Sequence, residues 1–399
     1  MSELLLPPEH RYAKIIQERH NEDGSELSIL NLGPTHPATH GIFQNILLMD
    51  GEKILEAEPT IGYIHRAFEK IAENRPFYQI TPLTDRMNYC SSPINNMGWW
   101  MTLEKLLDIE VPKRAQYLRV IVMELARITD HLICNSILGV DTGAYTGFLY
   151  VFQFREKVYE IYEEICGARL TTNMGRIGGF ERDWSEEAFK KLNIFLEEFP
   201  EAWKEFENLF ERNRIFIDRT VNVGAITAES AMAYGFTGPN LRAAGVDYDV
   251  RVAQPYSSYE DFEFDIPVGE GAMGTVGDCW DRNHVRIREC EESLRIIEQC
   301  IVALLGDEKR TREFDPQALV PKKIRPKAMD TYVRAENPKG ELGFYIRTDG
   351  RSDIPQRLKV RACSFHHLSV LPYLAKGTYL ADLVAIIGSL DLVMGEVDR

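Results

Sequence analysis

The run from Tyr117 to Val140, "YLRVIVMELARITDHLICNSILGV", limits the possible folds more than any other stretch. It is as long as a bilayer span, which takes about 20 apolar residues. Glu124, Arg127, Asp130 and His131 interrupt it, so it does not read as a transmembrane helix. Pro112 precedes it at a first-turn position, and Leu118, Ile121, Leu125, Leu132 and Ile137 fall along one side, the pattern of a long helix.

The other helical stretches follow the same logic. A helix is expected over residues 146–166. "DWSEEAFKKLNIFLEEF" begins with Ser185 as N-cap and Glu186 and Glu187 in the first turn, and Pro200 punctuates it before "EAWKEFENLFER". From Asp278 to Leu305, Ile287, Cys290, Leu294, Ile297, Ile301 and Leu304 alternate in threes and fours up to Gly306. Fewer than four heptads favour a buried core helix over a coiled-coil seam.

Before residue 95 the pattern is that of strands. "LSILNLG" and "IFQNILLMDGEKILEAE" predict an N-terminal β-meander, the second run split by the hairpin signal Asp50-Gly51. "GELGFYIRTDG" and "RLKVRACSF" predict strands near the C-terminus, followed by the helical "YLADLVAIIGSLDLVMGEVDR". The fold class is therefore α+β and mainly helical. We divide it into an N-terminal extension at 1–26 with an exposed "NEDGSE" turn, a β-rich part at 27–94, a helical bundle at 95–320 and C-terminal strands and helix at 321–399, with 26–399 as one folding unit.

At 399 residues, 44% of them hydrophobic, the chain can bury a large core. A net charge of -15 argues against nucleic acid, whose binding relies on Lys and Arg, and points to protein or small-molecule partners. "MSELLLPPEHRY" lacks the basic region and apolar length of a signal peptide, which predicts a cytoplasmic chain that can still dock on a membrane protein. The seven cysteines include no C-x-x-C pair, so reduced thiols fit better than disulfides, and no iron–sulfur or redox-metal ligand set is evident.

Four short stretches carry candidate chemistry. In "GPTHPATHG", residues 33–41, His36 and His40 have the i, i+4 spacing of a zinc site, but Pro37 breaks the helix this needs, and no third ligand lies nearby. The plainer reading is two exposed histidines on a rigid loop that suits a ligand. "GEGAMG", residues 269–274, imitates a dinucleotide fingerprint, but a second parallel strand does not follow in range. "TDRMNYC" sets Arg86 and Tyr89 three apart, which is compatible with a surface turn. In "GVDTGAYTG", Asp141 reads first as a cap or turn former.

Together with "IGYIHRAFEK", "RIGGFERD", "GPNLRAAGVDYDVR", "PYSSYEDFEFDIPVG", "VRACSF" and the ending "VAIIGSLDLVMGEVDR", these motifs closely resemble the D subunit of respiratory complex I, the proton-translocating NADH:quinone oxidoreductase. The resemblance runs in order from about residue 28 to Arg399. It implies a nickel–iron-hydrogenase large-subunit-like fold whose metal cavity has become a quinone pocket, because the two cysteine pairs of such hydrogenases are absent. It also implies that His40 and Tyr89 are the quinone headgroup partners, that His36 on the same loop is a further quinone-binding residue in a supporting part, that Asp141 pairs with His40, and that Arg66 and Arg86 lie on the cluster side.

The implied substrate is menaquinone or ubiquinone. This chain itself would bind no metal or flavin, and an iron–sulfur cluster would sit on the adjacent B subunit. Partners would be the B, C, I and H subunits, with association to the cytoplasmic side of the bacterial inner membrane through the membrane arm and no catalysis by the isolated chain. NADH and ferredoxin both stay open as electron source. The chemistry suits these roles: tyrosine is a neutral donor, histidine changes charge near neutral pH, a neighbouring carboxylate favours imidazolium, and arginine stays cationic. One departure is Thr171 and Thr172 where many family members carry histidines, which predicts a lower, less pH-dependent cluster potential. Two alternatives are a nickel-binding hydrogenase subunit, disfavoured by the missing cysteines, and a scaffold that lends no side chain to chemistry.

Overall fold

The computed structural model describes residues 27–305 and 316–399. The N-terminal extension with its "NEDGSE" turn, and the helix end at Gly306, lie outside the described residues.

Strands β1 (Leu27–Leu32), β2 (Gln44–Asp50) and β3 (Lys53–Thr60) form an antiparallel meander, and Asp50 pairs with Lys53 across the predicted tight turn. Gly51 supplies the left-handed residue that turn needs, with φ of 57°. Helices start earlier than the change of period at residue 95 suggests, at Phe68–Ala72 and Phe77–Thr84. They lead into α1 (Ser92–Leu107), α2 (Lys113–Asp141), α3 (Tyr145–Cys166), α4 (Glu186–Leu209) and α5 (Cys279–Leu305).

α2 is the axis of the molecule. The four charged residues that keep it out of a bilayer are all buried, each with an ionic partner. Glu124 pairs with Arg127 (3.1 Å) and Arg251 (3.2 Å), Asp130 with Lys339 (2.8 Å), and His131 with Glu289 on α5 (2.9 Å). Arg242 joins Glu289 (2.6 Å) to Glu336 (2.8 Å). Burial alone would raise the Glu289 carboxyl, but Arg242 and the bond from His131 hold it below the usual range. Among the described residues no helix is long and apolar enough to cross a membrane.

Several sequence expectations change. Pro112 is the N-cap of α2 rather than a first-turn residue. Pro200 does not end its helix: α4 runs through it, because Phe195, Phe199, Trp203, Phe206 and Phe210 stack along one side with ring centroids 4.9–5.5 Å apart. The burial along α5 supports a core helix, not a dimer seam. The last long helix, α6, stops at Leu390 (Leu380–Leu390), where Asp391 turns left-handed with φ of 56°, and a separate short helix, Met394–Asp398, follows.

A strand missed in the sequence, β4 (Ala328–Asn337), pairs with β5 (Gly340–Asp349), which pairs with β6 (Arg357–Arg361). The β4–β5 hairpin is inverted relative to the usual rule that turns lie outside. Asn337 pairs with Gly340, so Pro338 and Lys339 form a two-residue tip, and Lys339 is only 1% exposed. α1 crosses this hairpin at Gly98, where a Cβ would stand 3.1 Å from Phe344.

Gly340 makes the inverted tip possible. Its φ is 131°, and a Cβ there would stand 2.5 Å from Thr237 Oγ1 and 2.9 Å from the Thr237 carbonyl. Gly340→Ala is expected to destabilise the chain by about 2–5 kcal/mol, from backbone strain plus overpacking. Thermal or urea unfolding checks this, and a change within 0.5 kcal/mol, the ordinary range of roughly neutral surface substitutions, would mean the tip relaxes freely.

Candidate functional site

The loop between β1 and β2 is shaped by its own hydrogen bonds. Gly33 has φ of 102°, and a Cβ there would collide with the Phe43 carbonyl oxygen, so only glycine fits. His36 caps the short 3-10 turn Pro37–Thr39, its Nδ1 accepting from the Ala38 N–H at 3.2 Å. Thr39 Oγ1 lies 2.7 Å from both the His36 and the Gly41 carbonyl oxygens. His40 follows in the left-handed region at φ of 55°.

Its Nε2 stands 2.5 Å from Asp141 Oδ2 at the C-terminal end of α2, 101 residues along the chain. With side-chain exposures of 12% and 17% the pair is largely shielded from solvent. The two histidines are thus committed to different partners. Among the described residues no group of three or more His, Cys, Asp or Glu is placed to hold a metal ion.

Tyr89 is positioned by Asn88, the N-cap of a turn leading into α1. The Asn88 side chain accepts from the Cys90 N–H (3.1 Å) and donates to Asp130 Oδ2 (2.9 Å) and Asn337 Oδ1 (3.0 Å), which pins the turn to α2 and to the hairpin tip. Nearly half of Tyr89 (48%) is open, yet the protein around it still desolvates the phenol. Burial, with Cys90 beside it, raises its pKa, so it stays protonated through the physiological range.

His36, His40 and Tyr89 line one cavity of about 550 Å³, within the range of small-molecule sites. Ile133 and Ile137 of α2 give it an apolar wall, and Gly388 to Val393 includes further lining residues. At its floor Lys339 Nζ lies 2.8 Å from Asp130 and 2.6 Å from Asp391. Burial disfavours that ammonium, but the two carboxylates outweigh it and hold its pKa well above the ordinary lysine value. Conversely, Lys339 and Arg286 pull Asp391 below its ordinary value against the effect of burial.

Arg66 and Arg86 lie elsewhere, in a neighbouring pocket of about 240 Å³ that also has Arg399 in its wall. Tyr89 lines both spaces. Arg86 is 3.7 Å from Asp85, whose carboxyl burial pushes up to about 6. Thr171 is left-handed at φ of 51°, an uncommon state for a β-branched residue, and Thr172 is buried.

The structure therefore brings His36, His40 and Tyr89 around one cavity, holds Asp141 against His40 outside the cavity lining, and sets the two arginines in the adjoining pocket that Tyr89 also lines. Lys339, Asp130 and Asp391 were missed in the sequence. The signal was present in "ENPKGELG", a tight turn between strand-like runs, but a lysine in a turn normally points to water.

Replacing Lys339 leaves two buried carboxylates without their cation, a change that typically costs about 3–5 kcal/mol. Lys339→Met is expected to lower stability by that amount, and adding Asp391→Asn should restore part of it. Unfolding midpoints of the three forms decide the matter, and equal midpoints would show that water reaches the aspartates.

With the geometry in place, comparison with known proteins gives a consistent answer. Residues 141–399 match the family model described as respiratory-chain NADH dehydrogenase, 49 Kd subunit. The chain is 71% identical to the D subunit of the NADH-quinone oxidoreductase of Flavobacterium johnsoniae and 70% identical to that of Flavobacterium psychrophilum, all of both chains being covered in each case. It is 56% identical to the D subunit numbered 2 of the NADH-quinone oxidoreductase of Cytophaga hutchinsonii, covering 94% of this chain and 100% of that one. The chain belongs to the family of the 49-kDa subunit of the respiratory-chain NADH dehydrogenase, the D subunit of NADH-quinone oxidoreductase.

Proposed function

We propose that the 550 Å³ cavity takes the headgroup of a quinone, menaquinone or ubiquinone, and that His40, Asp141 and Tyr89 supply its protons and orientation. The observation that carries this reading is that His40, its side chain largely shielded and paired with Asp141, lines the same cavity as the half-open Tyr89.

Quinone reduction consumes two electrons and two protons, and negative charge builds on the carbonyl oxygens as electrons arrive. Tyr89, which its raised pKa keeps protonated at rest, donates a hydrogen bond to one carbonyl and passes that proton over once both electrons have made the oxygen basic, to be reprotonated from water. His40 donates a proton to the other, and Asp141, 2.5 Å from its Nε2, orients the ring. The apolar wall of Ile133 and Ile137 keeps water from competing. His36, fixed by its bond to Ala38, lines the cavity and shapes the loop.

Electrons come from an iron–sulfur cluster on the adjacent B subunit. Arg66 and Arg86, in the pocket sharing Tyr89, face that cluster side and favour arrival of negative charge. This chain itself binds no metal or flavin. Its neighbours are the B, C, I and H subunits of a proton-translocating complex on the cytoplasmic side of the bacterial inner membrane, where it is a peripheral component, inactive by itself. When His40 gives up its proton, Asp141 loses an ionic partner, and that change couples the chemistry to proton translocation.

In the assembled complex, Tyr89→Phe and His40→Gln are each expected to lower quinone reductase turnover about 10²-fold or more, the usual contribution of a positioned acid or donor. Assembly and cluster signals should persist, and assays with ubiquinone and menaquinone analogues identify the substrate. Normal turnover in both variants would make the chain a scaffold. With threonines at 171 and 172, a redox titration of the cluster should show a shallow pH slope, whereas a steep slope traced to this segment would remove that expectation.

A further inference from the structure

We infer that Gly388, in the C-terminal helix, is a positioning residue for the His40–Asp141 pair. A Cβ at this position would stand 3.3 Å from His40 Cε1, 3.3 Å from Asp141 Oδ2 and 3.0 Å from Leu138 Cδ1. Both members of the pair therefore rest on the bare backbone of α6. This inference depends on the role proposed above for that pair.

The backbone itself does not require glycine here. Gly388 lies inside α6 and is absent from the residues with positive φ. Glycine is among the weakest helix formers, and alanine is the strongest. What the missing side chain provides is space, and the atoms filling it come from the loop after β1 and from the end of α2. Ile387 and Ser389 beside it are also fully buried, so the site is a fixed wall rather than a frayed end.

The same segment fixes the rest of the cavity. Asp391, three residues on, holds Lys339. Met394 fills the place a Gly41 side chain would occupy, its Cγ overlapping that ideal Cβ. Gly395 lets the chain pass close to Arg86 and Met87, whose carbonyl oxygens would stand 2.8 and 2.7 Å from a Cβ. α6 and the turn after it thus form one template for the histidine loop and the tyrosine turn. Gly388 sets the height at which the imidazole and its carboxylate meet. A methyl group there drives the ring toward the cavity or opens its contact with Asp141.

The test uses the complex in its native membranes, with turnover of a short-chain quinone counted per iron–sulfur cluster so that assembly losses cancel. Gly388→Ala should lower turnover about tenfold, part of the 10²–10⁴ that a positioned acid contributes. The KM should stay within about twofold, the pattern of a lost transition-state interaction. Adding Asp141→Asn to Gly388→Ala should cost clearly less than Asp141→Asn alone, because both act through one pair. Gly98→Ala, also in a helix and also tightly packed, controls for crowding and should leave turnover per cluster unchanged. Where Gly388→Ala assembles poorly, Gly388→Ala with Leu138→Val relieves the aliphatic contact and keeps the crowding of the pair.

Wild-type turnover in Gly388→Ala beside a slow Asp141→Asn would overturn the inference and leave the function intact. Additive losses in the double variant would overturn it too. Wild-type turnover in Asp141→Asn would overturn the role of the pair itself, and the inference with it.

Discussion

A single buried ammonium holds the site together. Lys339 Nζ joins Asp130 on α2 to Asp391 at the end of α6, and it sits at the tip of the β4–β5 hairpin, so three distant parts of the chain meet on one charge. Tyr89 is tied to the same point through Asn88, which bonds both Asp130 and the Asn337 side chain of the tip. A buried ion pair adds little net stability over an apolar replacement, but breaking one leaves an uncompensated charge. The triad is therefore better understood as a register device: only one docking of the hairpin satisfies both aspartates.

The same logic explains the charged axis of the molecule. Glu124, Arg127, Asp130 and His131 would be expensive anywhere a partner was missing. Their partners come from Arg251 in the short helix Val250–Ala253, from Lys339 and from Glu289 on α5, so the helix is satisfied only after residues more than a hundred positions away have arrived. These pairs make the core dependent on long-range order in a way that leucines would not. An apolar α2 could pack in several rotations; a charged one has few.

How much of this was legible in the sequence follows from range. The meander, the Asp50-Gly51 turn and the Ser185 cap with its glutamates depend on neighbours within a few residues and were readable. So was the choice of core over seam for the helix from Cys279, because its short apolar repeat already told against a coiled coil. Pro200 misled because a proline's local effect is outweighed by a ladder of stacked rings that only the folded helix displays. The tight turn in "NPKG" is a local signal, but the burial of Lys339 could not be read from it, because nothing there says that the turn points inward. For the site, the resemblance rather than the spacing singled out His40, Tyr89 and Asp141; the structure puts His40 and Tyr89 on one cavity and Asp141 against His40. Gly388 had no signal at all, since a missing side chain matters only through what fills its space.

The shielding of the His40–Asp141 pair has a consequence for how local chemistry reaches further. Solvent sees little of either side chain, so water screens the contact between them weakly. In the role proposed for the pair, any change at His40 is therefore felt more by its neighbours than it would be at a surface, where such pairs are worth little. The elements that register the change are the loop after β1 and the end of α2, both resting on α6. α6 in turn ends at Asp391, which holds Lys339 and through it Asp130. In the proposed role, a proton leaving His40 acts first on the packed backbone of α6 and then on the buried ionic link of Asp391, Lys339 and Asp130.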